Sequence, residues 1–246
     1  MPQQKILTAF ELHSAADIKE CFKNGVNPDS ELNGKPLVYS LINMYTRGPR
    51  FKECMKVFVE HGLAFEEKAL LSVLLDDAVA LDAQLTNSPI ALNKRYSLEC
   101  TFTPMFEATL LHICAEYNHV ACARVLVKHG ADVNAKAGVD ENGFGGHTPI
   151  FHTVNQDANK SMNVLEFLLE QNADVSLTVK GLIWGKGYEW ETFIPSVNPI
   201  SYAMMGLLRQ FQRTEKQIYE VVSLLMKARY RTDYVHANIP NKYLNS

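Results

Sequence analysis

The residues in this chain best suited to chemistry are few and scattered. His147 and His152 lie five positions apart, and Glu189 and Glu191 flank Trp190. Two imidazoles four residues apart on a helix, with a glutamate beside them, would hold zinc and activate a water. Five positions is off that register, and no His-Glu-x-x-His run occurs. Paired carboxylates among aromatic rings can cleave glycosidic bonds. Here an extended chain puts Glu189 and Glu191 on one face of a strand, where such charges are ordinarily solvated. There is no Gly-x-Ser-x-Gly elbow, phosphate-binding loop or dinucleotide fingerprint. Gly181, Gly185 and Gly187 lack the following helix whose N-terminus would hold a phosphate. These residues assign no catalytic residue, no metal ligand and no cofactor, and the chain is not expected to be an enzyme.

Charge and cysteine usage narrow the setting. The 246 residues carry 24 Lys and Arg against 27 Asp and Glu, a formal net charge of -3. Nucleic acid is not an expected partner, because neutralising phosphates takes a basic surface. The five cysteines are odd in number and scattered, without a C-x-x-C pair, which fits a reducing compartment. The longest apolar stretch, 69–75, is far short of the roughly 20 residues a membrane span needs. The opening residues hold no apolar run of secretory type. The expected location is cytoplasmic, with no membrane association.

The elements that must position these residues recur along the chain. Thr109-Leu-Leu-His112 is followed by Asn118-His119 and then by Val125 to Asp132, which contains His129-Gly130-Ala131-Asp132. Thr148-Pro-Ile-Phe151 leads in the same way to Val164–Leu169 and Asn172-Ala173-Asp174. Weaker copies open at Lys35, Glu67 and Asn198, and the end of another lies at Asn24 to Asp29. A hydroxyl or proline at the opening suits a helix start, with Thr148 expected to cap and Pro149 to fill the first turn. Gly130 suits the left-handed end of a second helix. Each unit makes two short amphipathic helices that bury their apolar faces only by stacking on neighbours.

The pattern resembles the ankyrin repeat, including its Thr-Pro-Leu-His opening and the 21 positions from Thr109 to Gly130. The resemblance implies an all-α solenoid of helix-turn-helix units with β-hairpin-like connecting loops, irregular and of bacterial type. About six repeats are expected, near 4–30, 33–65, 66–100, 105–138, 146–180 and 196–233, in a single domain of 1–233 with a tail of 234–246. Extra residues inside repeats, Tyr45–Arg50, Asp157–Lys160 and Leu207–Thr214, are read as elongated helices and caps.

Three consecutive connectors are longer than the family's span of about twelve residues. Insertions at one place in a solenoid repeat fall along one edge, so 89–108, 131–147 and 173–197 should form one wall. The last holds both tryptophans, with Tyr188 and Phe193; the middle one holds Phe144. Exposed aromatic rings beside charges look like interface anchors. The resemblance also implies a concave strip of Tyr39, Asn43, Leu71, Leu74, Ile113, Tyr117, His152, Gln156, Tyr202 and Met205. The expected function is a non-enzymatic protein–protein interaction module, a scaffold that holds a protein partner of unknown identity. The partner-binding residues would be Tyr39, Asn43, Ile113, Tyr117, Phe144, His152, Gln156, Trp184, Tyr188, Trp190 and Tyr202. The alternative is a small-ligand or carbohydrate binder, possibly an enzyme, with a pocket under Trp184 to Trp190. A deep pocket lined by Trp190, Glu189 and His152 would favour it.

Overall fold

The computed structural model describes residues 2–100, 102–205 and 213–233. The tail 234–246 and most of the last insertion, 206–212, lie outside the described residues. The chain folds as successive antiparallel helix pairs. They are α1 (Pro2–Glu11) with α2 (Ala15–Lys23), α3 (Leu37–Ile42) with α4 (Phe51–Glu60), and α5 (Lys68–Leu74) with α6 (Ala78–Asn87). Then come α7 (Leu110–Tyr117) with α8 (Val120–Lys128), α9 (Phe151–Val154) with α10 (Met162–Glu170), and α11 (Pro199–Met204) with α12 (Glu215–Tyr230).

Short polar side chains start these helices. Ser14, Asp77 and Asn198 each accept a backbone N–H of the first turn, and Thr214 pairs with Gln217 in a capping box. Left-handed residues end them: Gly25, Gly62 and Gly130 at φ near +90°, and Asn118 and Asn172 near +60°. The expectation for Thr148 fails. Helix α9 begins only at Phe151, and the buried Thr148 hydroxyl has no partner. Thr109 takes the expected role instead, bonding His112 Nδ1 through both its N–H (3.2 Å) and its hydroxyl (2.8 Å).

The helices form two layers. In one, α1 packs on α3, α5 on α7, α7 on α9 and α9 on α11; in the other, α2 packs on α4, α6 on α8 and α8 on α10. One apolar core runs through the stack from Ile6 to Leu225. The fold is therefore a helical solenoid, but it is not all-α. Among the described residues, three two-stranded antiparallel hairpins stand in the connectors: β1 (Glu31–Leu32) with β2 (Lys35–Pro36), β3 (Tyr96–Leu98) with β4 (Met105–Ala108), and β5 (Val179–Trp184) with β6 (Thr192–Val197). No described helix is long and apolar enough to cross a membrane.

The extra residues of the first two insertions do not elongate helices, contrary to expectation. Between α3 and α4 the chain leaves helix altogether, and Arg47 plunges into the interior with 6% exposure. Asp157–Asn159 makes a single 3-10 turn. Arg213, at the end of the last insertion, is also buried. It donates to the carbonyls of Val154 and Ala203 and to the Asn155 side chain. Arg47 and Arg213 thus each carry a long cation inward onto backbone carbonyls.

Candidate functional site: a groove walled by three loops

The three enlarged connectors are stitched together by their main chains. Gly138 donates to Phe106 O at 2.9 Å, Gly146 donates to Gly138 O at 3.0 Å, and Gly145 donates to Gly181 O at 2.9 Å. Backbones approach this closely where no Cβ intervenes. A Cβ on Gly138 would lie 2.7 Å from the Phe106 ring, and one on Gly181 2.5 Å from the Phe193 ring. Gly145 takes a φ of +113°, reachable at low cost only by glycine.

The first connector also folds down over the inner helices. Cys100 Sγ lies 3.5 Å from Glu116 Oε1, Thr103 Oγ1 lies 2.8 Å from the Tyr202 hydroxyl, and Pro104 O lies 2.8 Å from His147 Nε2. This strap corrects four expected groove residues. Ile113, His152 and Tyr202 are fully buried and Gln156 is 5% exposed, because the chain's own loop covers the inner helices of the later repeats. Leu74 is core as well, while Leu71 is half-buried. Tyr117 is half-buried, stacked on Phe51 at 4.3 Å with its hydroxyl donating to Ile42 O. Tyr39 is half-buried and stacks on Phe65.

Beneath the strap lies a sealed polar network. Glu116 Oε1 accepts from Arg47 Nε at 3.1 Å, and Oε2 accepts from His152 Nδ1 at 2.8 Å and Gln156 Nε2 at 3.1 Å. Burial alone would raise the Glu116 carboxyl. The His152 hydrogen bond and the Arg47 charge outweigh it and hold the group at about 2. The proton positions follow in order. His147 Nε2–H donates to Pro104 O at 2.8 Å, and His152 Nε2 lies 3.2 Å from the same nitrogen. Burial, then the neighbouring His152, holds His147 down at about 3, so it is neutral at ordinary pH. His112 is neutral too and donates from Nε2 to His147 O. His147 and His152 thus meet, but as members of a packing network. Among the described residues no group of three His, Cys, Asp or Glu is placed to hold a metal.

The open space lies beside the strap. A groove of about 960 Å³ runs between the end of α3 and the loop wall. Asn43, Met44 and Tyr45 form one side; Glu99, Phe106, Asp140, Glu141, Phe144, Lys186 and Tyr188 are among those opposite, and His147 reaches its lining from below. Of the predicted binding residues, the groove gathers Asn43, Phe144 and Tyr188. Sequence reading missed Tyr45, Phe106, Glu99 and Glu141. A weak signal existed, since Phe106 and Glu141 sit inside the enlarged connectors, but only the fold shows which way a loop residue points.

The tryptophans are not at this groove. Trp184 and Trp190 lie 4.8 Å apart between ring centroids, Phe102 packs on both, and Tyr188 stacks on Trp190 at 4.9 Å. Trp190 also lies across Gly185, where any side chain would collide with it. The rings chiefly hold the third loop against the strap. A pocket lined by Trp190, Glu189 and His152 is not what this arrangement makes, since His152 is buried and Trp190 caps a ring cluster.

No curated protein matches this chain. Residues 83–179 match the family model of ankyrin repeats (3 copies). That segment runs from within α6 to the start of β5, including the Thr109 opening, the Gly130 exit and the fourth and fifth helix pairs. Residues 83–179 thus resemble ankyrin repeats, and helix pairs continue on the same core in both directions.

Proposed function

We propose that this chain is a non-enzymatic interaction module that holds a segment of a protein partner in the groove between the end of α3 and the loop wall. Ankyrin repeats are generally protein–protein interaction modules, and the family's usual concave surface is here partly filled by the chain's own strap. One observation carries the reading: three consecutive enlarged loops are fixed by main-chain bonds into one wall, and exposed rings line the groove it bounds. Tyr45, Phe106 and Tyr188 are each 47–49% exposed, an unusual cost in water unless something covers them. We further read the stack as one array of six irregular repeats working in a reducing compartment, without cofactor or nucleic acid.

The test compares partners captured by the wild type, by Phe106→Ala/Tyr188→Ala in the groove, and by Lys128→Ala on an outer helix. A genuine partner is lost with the groove variant and kept with the outer one. Capture that is unchanged in the groove variant, on protein that remains folded, would remove the groove from the binding site.

A further inference from the structure

We infer that the groove selects a partner segment by an arginine side chain flanked by apolar residues. The inference rests on the groove being the binding site and names what that site reads. The chemistry of the lining points one way. Its charged residues include three carboxylates, Glu99, Asp140 and Glu141, against one ammonium, Lys186. Glu99 shares its charge with Lys35 and is approached by the Asn43 amide at 3.4 Å. Asp140 spends Oδ1 on the backbone N–H groups of Asn142 and Phe144, which leaves Oδ2 free. Glu141 makes no ion pair among the described residues.

The neutral polar groups at the floor agree in sign. The Asn43 amide nitrogen faces Glu99, so its oxygen is the end left over, and Oδ1 has no partner. His147 is 1% exposed and gives its only proton, on Nε2, to Pro104 O. Its Nδ1 is therefore a lone pair, also without a partner. Both lone pairs are sealed from the groove, so they add only to the negative potential of the carboxylates, and that excess asks for an occupant that only donates. Arginine is that occupant: it is always charged, has five N–H donors and no acceptor, and its flat face stacks on aromatic rings. Phe106, Tyr45 and Tyr188 supply the rings, while Phe144 already carries the Lys180 ammonium and packs on Phe193. An acidic segment would meet repulsion, and a purely apolar one would leave the carboxylates desolvated and unpaired.

The test pans a library of short random peptides against the full chain, then measures the affinity of one enriched peptide by calorimetry. The expected result is enrichment of arginine between apolar residues. Replacing that arginine by citrulline, or making Glu99→Gln/Glu141→Gln in the protein, should weaken binding at least about tenfold. Lysine in its place should recover only part of the affinity, because it lacks the planar fork. Enriched peptides without a basic residue, whose binding fails in Phe106→Ala/Tyr188→Ala, would overturn this inference and leave the groove as the site. Basic peptides indifferent to both groove variants would overturn the inference and the groove together. No enrichment would overturn the inference alone, since a partner could then bind only as a folded surface.

Discussion

A neutral histidine sealed inside a fold makes stability depend on pH, and this chain seals several. His13 is 2% exposed with neither ring nitrogen bonded. Burial first, then the charges of Arg47 and Arg50, hold it down at about 4. The unfolded chain titrates near 6.5 at this side chain, so between those values the unfolded state binds the extra proton. Stability is full above about pH 6.5 and is lost as pH falls towards 4. His147, held at about 3, extends the loss further down, and Glu116, held at about 2, adds to it as pH falls through the ordinary carboxylate range towards 2. His13→Asn removes one titration and keeps a residue that tolerates the left-handed φ of +46°. Thermal melts should then show a shallower decline from about pH 7 to about pH 4 than in the wild type. An equal slope would place the pH response elsewhere. The Glu116 network makes a second residue-scale prediction. Arg47→Met strips the buried carboxylate of its cation, and denaturant unfolding should register a loss of about 3–5 kcal/mol. Arg47→Met/Glu116→Leu should recover part of that, but not all, because His152 Nδ1 and Gln156 Nε2 then lose their acceptor. Full additivity of the two changes would contradict the pairing.

The element that distinguishes this solenoid is the loop wall, and its cohesion depends on glycine. Gly138→Ala puts a methyl 2.7 Å from the Phe106 ring and 2.8 Å from Glu107 Cβ, so the first and second loops must part. Overpacking of this kind costs about 1–3 kcal/mol, and here it falls on the loops rather than the helices. Amide exchange should quicken at Gly138, Gly145 and Gly146 while exchange in α7 and α8 changes little. Uniform quickening would mean that the wall and the core unfold as one. Trp190→Ala belongs to the same scale. It should loosen the third loop by removing the ring stacked on Tyr188, and a fall in partner affinity should accompany that loosening rather than exceed it. A loss of about 2 kcal/mol or more in binding with the loop still ordered would restore Trp190 as a direct anchor. The wall also marks where sequence reading stopped. The loops were legible because insertions at one repeat position share an edge, and Gly130 was legible because its left-handed conformation has few alternatives. The strap was not. Nothing in the order Cys100, Thr103, Pro104 says that these residues lie across Glu116, Tyr202 and His147. A family pattern that turns His152, Gln156 and Tyr202 outward cannot foresee a neighbouring loop lying on top of them. Thr148 failed for a related reason: the helix it was expected to cap begins three residues later, at Phe151.

At the scale of the whole molecule, a repeat stack is expected to behave as a chain of nearest-neighbour interfaces. This one carries a tie that skips a repeat. The loop after α3 and the start of α4 belong to the second helix pair, yet Phe51 stacks on Tyr117 of the fourth at 4.3 Å. Arg47 sits 4.9 Å over the same Tyr117 ring and bonds Glu116, and the Tyr117 hydroxyl donates to Ile42 O. A purely nearest-neighbour stack would give additive effects for changes two pairs apart. Here Phe51→Ala and Tyr117→Ala remove the same contact, so the double variant should be less destabilised than the sum of the singles. The shortfall should be about 0.5–1.5 kcal/mol, the range of an aromatic pair beyond its buried area. Equilibrium denaturation of the four proteins of that cycle measures it directly, and Phe51→Ala with Leu225→Ala in α12 serves as the distant control. Additivity at Phe51 and Tyr117 equal to that of the control would mean the two pairs touch without coupling. Measurable coupling would make the second to fourth pairs one cooperative unit, which would fix the α3 end of the groove rigidly against the strap that bounds its other side.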